Sequence, residues 1–158
     1  MFLNFENYDE KTLAVIGVAL VGMLIFWIIC ALIVYIINSI AYMKIFKAYD
    51  YSHPGYAWVP FLNLHILGNL SFTDPVEFGK YSYSKKYVIW WWVVDIILCA
   101  IPRVGGFLAI LLTLLCLGKC YNMVYKKLDP AYDGKALGII SALIPIVMWI
   151  KVFSSKTV

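Results

Sequence analysis

Long runs without a charged residue dominate the pattern of hydrophobic and polar positions along the chain. No Asp, Glu, Lys or Arg occurs between Lys11 and Lys44, and residues 13–37 are almost all apolar. An α-helix rises about 1.5 Å per residue, so a run of this length crosses the roughly 30 Å hydrocarbon core of a bilayer. We therefore predict an uncleaved transmembrane helix over residues 12–42, because the run is too long for a signal peptide and no small-residue cleavage site follows it.

Three later apolar runs predict three further transmembrane helices, over residues 87–102, 107–126 and 137–153. The first of these runs is rich in tryptophan and is interrupted by Asp95. The Pro-Arg-Val-Gly-Gly turn at 102–106 is so short that the helices on either side are expected to be antiparallel neighbours.

A shorter stretch, residues 57–72, mixes apolar and polar side chains and carries Pro60 near its start. Its length of about 16 residues suits a re-entrant or interfacial helix better than a full span. If the stretch returns to the side it came from, the inner loops carry eight basic residues and the outer side carries four. If the stretch crosses the membrane, the inner side carries seven basic residues and the outer side five, which is a weaker excess of positive charge on the inner side. We therefore predict that the N-terminus, the turn 102–106 and the C-terminus lie on the outer side of the membrane. The loops 44–56, 73–86 and 126–136 are predicted to lie on the inner side.

Composition then narrows the class of protein. Of the 158 residues 63% are hydrophobic and 14% are charged, and the mean hydropathy is +0.83. A soluble core of this size cannot hide so much apolar surface, and a scattered net charge of +4 predicts no nucleic-acid partner. The sequence predicts one all-α integral membrane domain, residues 1–158, with four transmembrane helices and one short, Pro-interrupted re-entrant or interfacial helix. The lipid bilayer is its first expected partner.

Asp95 is the strongest candidate for a functional residue. An ionisable side chain inside a membrane helix costs about 2.5 to 3.5 kcal/mol on insertion scales and is a functional-site hypothesis by default. Folding the chain at turn 102–106 places Asp95 opposite Thr113. Three interpretations stay open: a protonated carboxyl that bonds to Thr113 and holds two helices together, a group that handles protons or cations, or a partner for Lys119. Lys119 can also extend its long side chain to the inner headgroups.

Polar side chains on the 57–72 segment form a second candidate. His65, Asn69 and Thr73 follow one another at intervals of four residues and give the segment one polar face, whereas Asn63 points elsewhere. Such a face must meet protein or a water-filled cavity rather than lipid. It either hydrogen-bonds into the bundle or lines a solute or ion path. The candidate binding or ion-path residues are therefore Asp95, Thr113, His65, Asn63 and Asn69.

Catalytic, metal and cofactor chemistry find no support in the sequence. All four cysteines lie in predicted helices and are interpreted as small buried hydrophobic residues. His53 lies on a loop, so it cannot pair with His65 as the two axial ligands of a haem. Asp95 is the only acid at membrane depth, which excludes an aspartyl protease pair, and no Gly-x-Ser-x-Gly motif occurs. We expect no enzyme activity, no metal and no cofactor.

Several short motifs resemble a family of small bacterial multi-pass membrane proteins. They are Lys44-Ile-Phe-Lys-Ala, Gly55, Trp58, Pro60-Phe-Leu-Asn63, Tyr125-Lys-Lys, and the Gly-Lys-rich loop that runs from Gly134 to Pro145. The family is named only as a domain of unknown function. The resemblance implies a multi-pass protein of a bacterial cell membrane, and it implies no activity.

Two hypotheses for function follow. The first is a non-catalytic accessory, immunity or scaffold protein that acts through a membrane-protein partner or a homo-oligomer. It is motivated by stripes of small side chains that favour close helix packing, namely Ala109, Thr113, Cys116 and Cys120 on one helix and Gly138 and Ala142 on another. The alternative is a small channel or transporter that uses Asp95 and the polar face of the 57–72 segment.

Overall fold

The computed structural model describes residues 9–155, without the side chain of Lys135. About three quarters of the described residues are helical and almost none are in strands, so the all-α prediction is confirmed. The described residues divide into two compact units, the first ending at Ile37 and the second beginning at Asn38.

The first unit consists of the beginning of helix α1, which as a whole runs Glu10–Ala48. Asp9 precedes the helix, and its carboxylate accepts a hydrogen bond from the backbone N–H of Thr12 at 3.1 Å. This bond satisfies one of the free N–H groups at the helix N-terminus, and the bonds from Thr12 lower the pKa of Asp9. None of the most apolar stretch of α1 is buried, as expected for a helix surrounded by lipid.

The second unit contains the end of α1 and all the other described elements. These are a 3₁₀ turn at Pro54–Trp58, α2 (Leu62–Ser71), β1 (Val76–Phe78), β2 (Tyr81–Tyr83), α3 (Lys85–Val88), α4 (Trp91–Cys99), α5 (Gly105–Leu128), α6 (Lys135–Leu143) and α7 (Pro145–Ser154). The two strands pair antiparallel as a hairpin. The core of this unit lies around the C-terminal half of α5, where Val124 and Tyr125 are fully buried with Phe46 and Met148.

The predicted number of membrane-spanning helices is wrong. In the part of the chain that the structure describes, two helices, α1 and α5, are long and apolar enough to cross a membrane, or three if α6 and α7 form one span, where the sequence predicted four. The predicted span 87–102 is divided into α3 and α4 by a turn at Ile89 and Trp90. Helix α4 has nine residues, and at about 14 Å it is too short to cross the bilayer core. Hydropathy measures the apolar character of a run and does not detect a break in its helix.

The predicted span 137–153 is also interrupted, because α6 and α7 meet at a bend of 120°. Pro145 lacks an N–H and restricts the residue before it, so Ile144 takes an extended conformation with φ −124° and ψ 94°. The end of α7 lies beside the loop that follows α5, where Lys151 Nζ is 3.1 Å from Asp129 Oδ2. This contact argues against the prediction that the C-terminal segment and the loop 126–136 lie on opposite sides of the membrane.

The short 57–72 segment forms a helix of ten residues, α2. At about 15 Å this helix is too short to cross the bilayer core, in line with the prediction of a short helix rather than a span. It begins after a tight turn, in which the N–H of Leu62 bonds to the carbonyl of Pro60 at 2.7 Å. Phe61 at the centre of this turn has a φ of 63°, a conformation that non-glycine residues rarely adopt.

Labelling of single cysteines provides a test of this arrangement. On a background in which Cys30, Cys99, Cys116 and Cys120 are replaced by alanine, we expect Ser82→Cys and Ser155→Cys to react with a membrane-impermeant thiol reagent from the same side. Arg103→Cys is expected to react from the other side, because α5 is long and apolar enough to cross the bilayer between residues 105 and 128. Reaction of Ser82→Cys and Ser155→Cys from opposite sides would contradict the return of α7 towards Asp129.

Candidate functional site

Asp95 and Thr113 face each other between α4 and α5. The hydroxyl of Thr113 donates a hydrogen bond to Asp95 Oδ2, so the predicted contact between the two side chains is confirmed. The short turn between the helices brings them together, and Gly105 allows the approach. A Cβ atom at Gly105 would collide with the carbonyl oxygen of Leu98.

The second carboxylate oxygen, Asp95 Oδ1, is buried and has no hydrogen-bond partner among the described residues. Asp95 lies at the edge of a groove of about 650 Å³ formed by α4, α5 and the end of α6. Apart from Asp95 and Thr113, the side chains that line the groove are apolar or small. They include Cys99, Gly106, Ala109, Ile110, Ala142 and Leu143. A buried acceptor without a donor is rare in folded proteins, so Asp95 Oδ1 is the atom of this site that a further donor would satisfy.

The other predicted site residues lie elsewhere. None of His65, Asn63 and Asn69 lines the groove beside Asp95. The ring of His65 packs against Trp90 with centroids 4.8 Å apart, and its Nδ1 is buried without a partner among the described residues. Asn63 is buried and donates to the carbonyl of Ala57 at 3.3 Å, so it fixes the start of α2. Asn69 is exposed.

Lys119 does not approach Asp95. Its ammonium group lies over the ring of Phe78, 4.8 Å from the ring centroid, where the positive charge meets the negative face of the aromatic ring. Phe78 belongs to the β-hairpin, an element that the sequence did not predict. The structure therefore brings together Asp95 and Thr113 from the predicted set and directs Lys119 to a different surface.

Polar groups between α5 and α6 form a network that the sequence analysis missed. Asn122 Oδ1 accepts hydrogen bonds from the hydroxyl of Tyr132 and from the N–H of Gly138, both at 3.0 Å. Tyr125 donates to Ser141 Oγ at 2.6 Å, in a fully buried position. Burial raises the pKa of Tyr132. The sequence feature that could have predicted this network is the presence of two polar residues, Asn122 and Ser141, inside two apolar helices.

The chain is thus an all-α protein, and its described residues contain two or three helices that are long and apolar enough to span a membrane. Within residues 9–155, no group of three or more His, Cys, Asp and Glu side chains is placed to hold a metal ion. No protein-family model, no curated protein and no solved structure matches the chain.

Proposed function

We propose that the chain is a non-catalytic, multi-pass protein of a bacterial plasma membrane that acts as an accessory, immunity or scaffold protein. In this proposal the groove beside Asp95 receives a transmembrane helix of a different membrane protein. The observation that carries the proposal is the buried Asp95 Oδ1 without a partner among the described residues. The bacterial plasma membrane rests on the sequence resemblance alone.

The shape of the groove suits a helix. Where hydrocarbon surrounds both helices, association depends on close van der Waals contact, which small side chains allow. The groove has such side chains on three helices, with Cys99 on α4, Gly106 and Ala109 on α5, and Ala142 on α6. Gly106 has no atom within 4 Å of the position that a Cβ would occupy, so its surface is open.

The chemistry of the groove favours a protein partner over lipid tails. Hydrocarbon chains have no N–H or O–H group to offer Asp95 Oδ1, whereas a Lys, Arg, Ser, Thr or Asn side chain of a partner helix does. A second copy of this chain is a poorer match. Its most apolar helix has no basic residue between Lys11 and Lys44, and the Asn38 and Ser39 side chains of that helix are already bonded or buried within the second unit.

Site-specific photo-crosslinking in the membranes of the cells that make the chain tests the proposal. Crosslinkers at Ile110 and Leu143, which line the groove, are expected to give one product with a single other membrane protein. A crosslinker at Phe107, which is equally exposed on α5 but does not line the groove, is expected to give none. Asp95→Leu should lower the yield about tenfold, whereas Asp95→Asn keeps an acceptor and most of the yield.

Three results would overturn this proposal: a product with the mass of two copies of this chain, equal crosslinking at Phe107, or a yield that Asp95→Leu leaves unchanged. Thermal unfolding in detergent controls for misfolding of the variants. Asp95→Leu alone removes the hydrogen bond from Thr113 and is expected to lower the free energy of unfolding by about 1 kcal/mol, while Asp95→Asn is tolerated.

One observation favours the alternative of a small channel or transporter. The break between α6 and α7 lies beside the same groove, where Ala142 and Leu143 form the end of α6. In transporters, the ends of broken helices and an intramembrane acid together bind ions. Proton or cation flux in liposomes that contain only this chain distinguishes the two functions. A flux that disappears in Asp95→Asn would overturn the accessory role.

A further inference from the structure

The β-hairpin separates two neighbouring grooves in the second unit. Phe78, Gly79 and Leu115 line both grooves, so one ligand can occupy the two at once. Their volumes are about 650 Å³ and about 610 Å³. Cavities of this size suit an extended ligand whose two parts differ in chemistry.

The first groove, which we call the apolar groove, has no charged residue in its lining. Val88, Val94 and Leu112 contribute aliphatic surface, and Tyr87 and Trp91 contribute aromatic surface. Trp91 is only 4% exposed, and its indole N–H is buried without an acceptor among the described residues. An ester carbonyl of a bound molecule would satisfy this donor, because buried indole N–H groups normally have a partner.

The second groove, which we call the polar groove, carries equal numbers of positive and negative side chains. Lys119 and Lys126 come from α5, Glu77 from β1, and Asp133 from the loop before α6. In the described part of the chain none of these four takes part in an ion pair. Two cations and two anions that take part in no described ion pair match a ligand that carries both charges better than a ligand that carries only one.

The order of the two grooves along α5 matches the order of the parts of a membrane lipid. Leu112 lines the apolar groove near the middle of the helix, and Lys126 lines the polar groove in its last turn. The rise of an α-helix separates these positions by about 21 Å. An acyl chain directed towards the middle of the bilayer and a headgroup at its surface have this arrangement.

We propose that the two grooves bind one glycerophospholipid of the phosphatidylethanolamine type. One acyl chain occupies the apolar groove, with its ester carbonyl at the indole N–H of Trp91. The phosphate lies between Lys119 and Lys126, and the primary ammonium group contacts Glu77 and Asp133. This site shares no residue with the groove beside Asp95, so it does not depend on the proposed partner helix.

Native mass spectrometry of the full chain, released from detergent and titrated with lipid, tests the proposal. The three probes are phosphatidylethanolamine, phosphatidylglycerol and phosphatidylcholine with identical acyl chains. We expect phosphatidylethanolamine to bind about fivefold more tightly than phosphatidylglycerol, because one charge contact at a membrane surface is worth about 1 kcal/mol, and also more tightly than phosphatidylcholine, whose ammonium keeps its charge but loses its hydrogen bonds. Phosphatidylglycerol has no ammonium group, and phosphatidylcholine has no N–H to donate.

Two exposed side chains of the polar groove allow variants that leave the fold intact. Lys126→Gln should weaken both phosphatidylethanolamine and phosphatidylglycerol about fivefold, and Glu77→Gln should reduce the preference between them, because Asp133 remains. Lys86→Gln serves as the matched control, because Lys86 is exposed on α3 and lines neither groove. The proposal is overturned by equal binding of the three lipids, by tighter binding of phosphatidylglycerol, or by equal losses in Lys126→Gln and Lys86→Gln.

Discussion

Gly138→Ala is expected to destabilise the chain by about 3 kcal/mol, because α6 approaches α5 at this glycine more closely than a methyl group allows. A Cβ at residue 138 would collide with the carbonyl oxygen of Gly118 and lie 2.6 Å from Asn122 Oδ1. The same residue donates its N–H to Asn122 Oδ1. Relief of the collision therefore requires the two helices to separate and breaks this hydrogen bond, which adds to the loss from overpacking.

The measurement is the free energy of unfolding in mixed micelles, followed by tryptophan fluorescence as a denaturing detergent is added. Gly106→Ala is the matched control, since it is also a helical glycine but has no atom within 4 Å of the new methyl group. Gly106→Ala should be neutral or stabilising by about 0.5 to 1 kcal/mol, as expected from helix propensity. Equal stabilities for the two variants would show that α5 and α6 are not in close contact at Gly138.

The contacts that follow from local spacing could be predicted from the sequence. The turn at 102–106 is short enough to set the register of α4 against α5, and it correctly paired Asp95 with Thr113. The spacing of small residues also identified a buried face of α5, since Ala109, Cys116 and Cys120 are buried. In both cases a helix repeat of about 3.6 residues was sufficient, because no distant part of the chain was needed.

Elements that depend on the path of the backbone could not be predicted in the same way. Residues 87–102 have the hydropathy of a span, yet the helix is interrupted at Ile89 and Trp90. Pro145 was recognised, but the proline alone did not reveal that α7 turns back towards Asp129. That return depends on contacts between residues 22 positions apart in sequence, between Lys151 and Asp129. A hydropathy scale gives only the free energy of transferring each residue into lipid, and it does not include contacts between residues that are distant in sequence.

Substitution of Tyr125 is expected to have a second large effect on stability, because its side chain joins three parts of the core of the second unit. It is fully buried, its ring contacts Tyr132 with centroids 5.6 Å apart, and its hydroxyl donates to Ser141 on α6. Tyr125→Ala removes the ring and leaves a cavity, and we expect a loss of about 4 kcal/mol in the free energy of unfolding. Tyr81→Ala is the control, because Tyr81 is 70% exposed and should change stability by less than about 0.5 kcal/mol.

A double-mutant cycle separates the hydrogen bond from the packing of the ring. Tyr125→Phe leaves the hydroxyl of Ser141 buried without its donor, and we expect a loss of about 1 to 2 kcal/mol. Ser141→Ala leaves the hydroxyl of Tyr125 without its acceptor and should have a similar effect. The double variant removes both polar groups, so its loss should be smaller than the sum of the two single losses by at least about 0.5 kcal/mol. Additive losses would mean that the two hydroxyls do not interact, and the hydrogen bond from Gly138 to Asn122 would then be the polar contact described between α5 and α6.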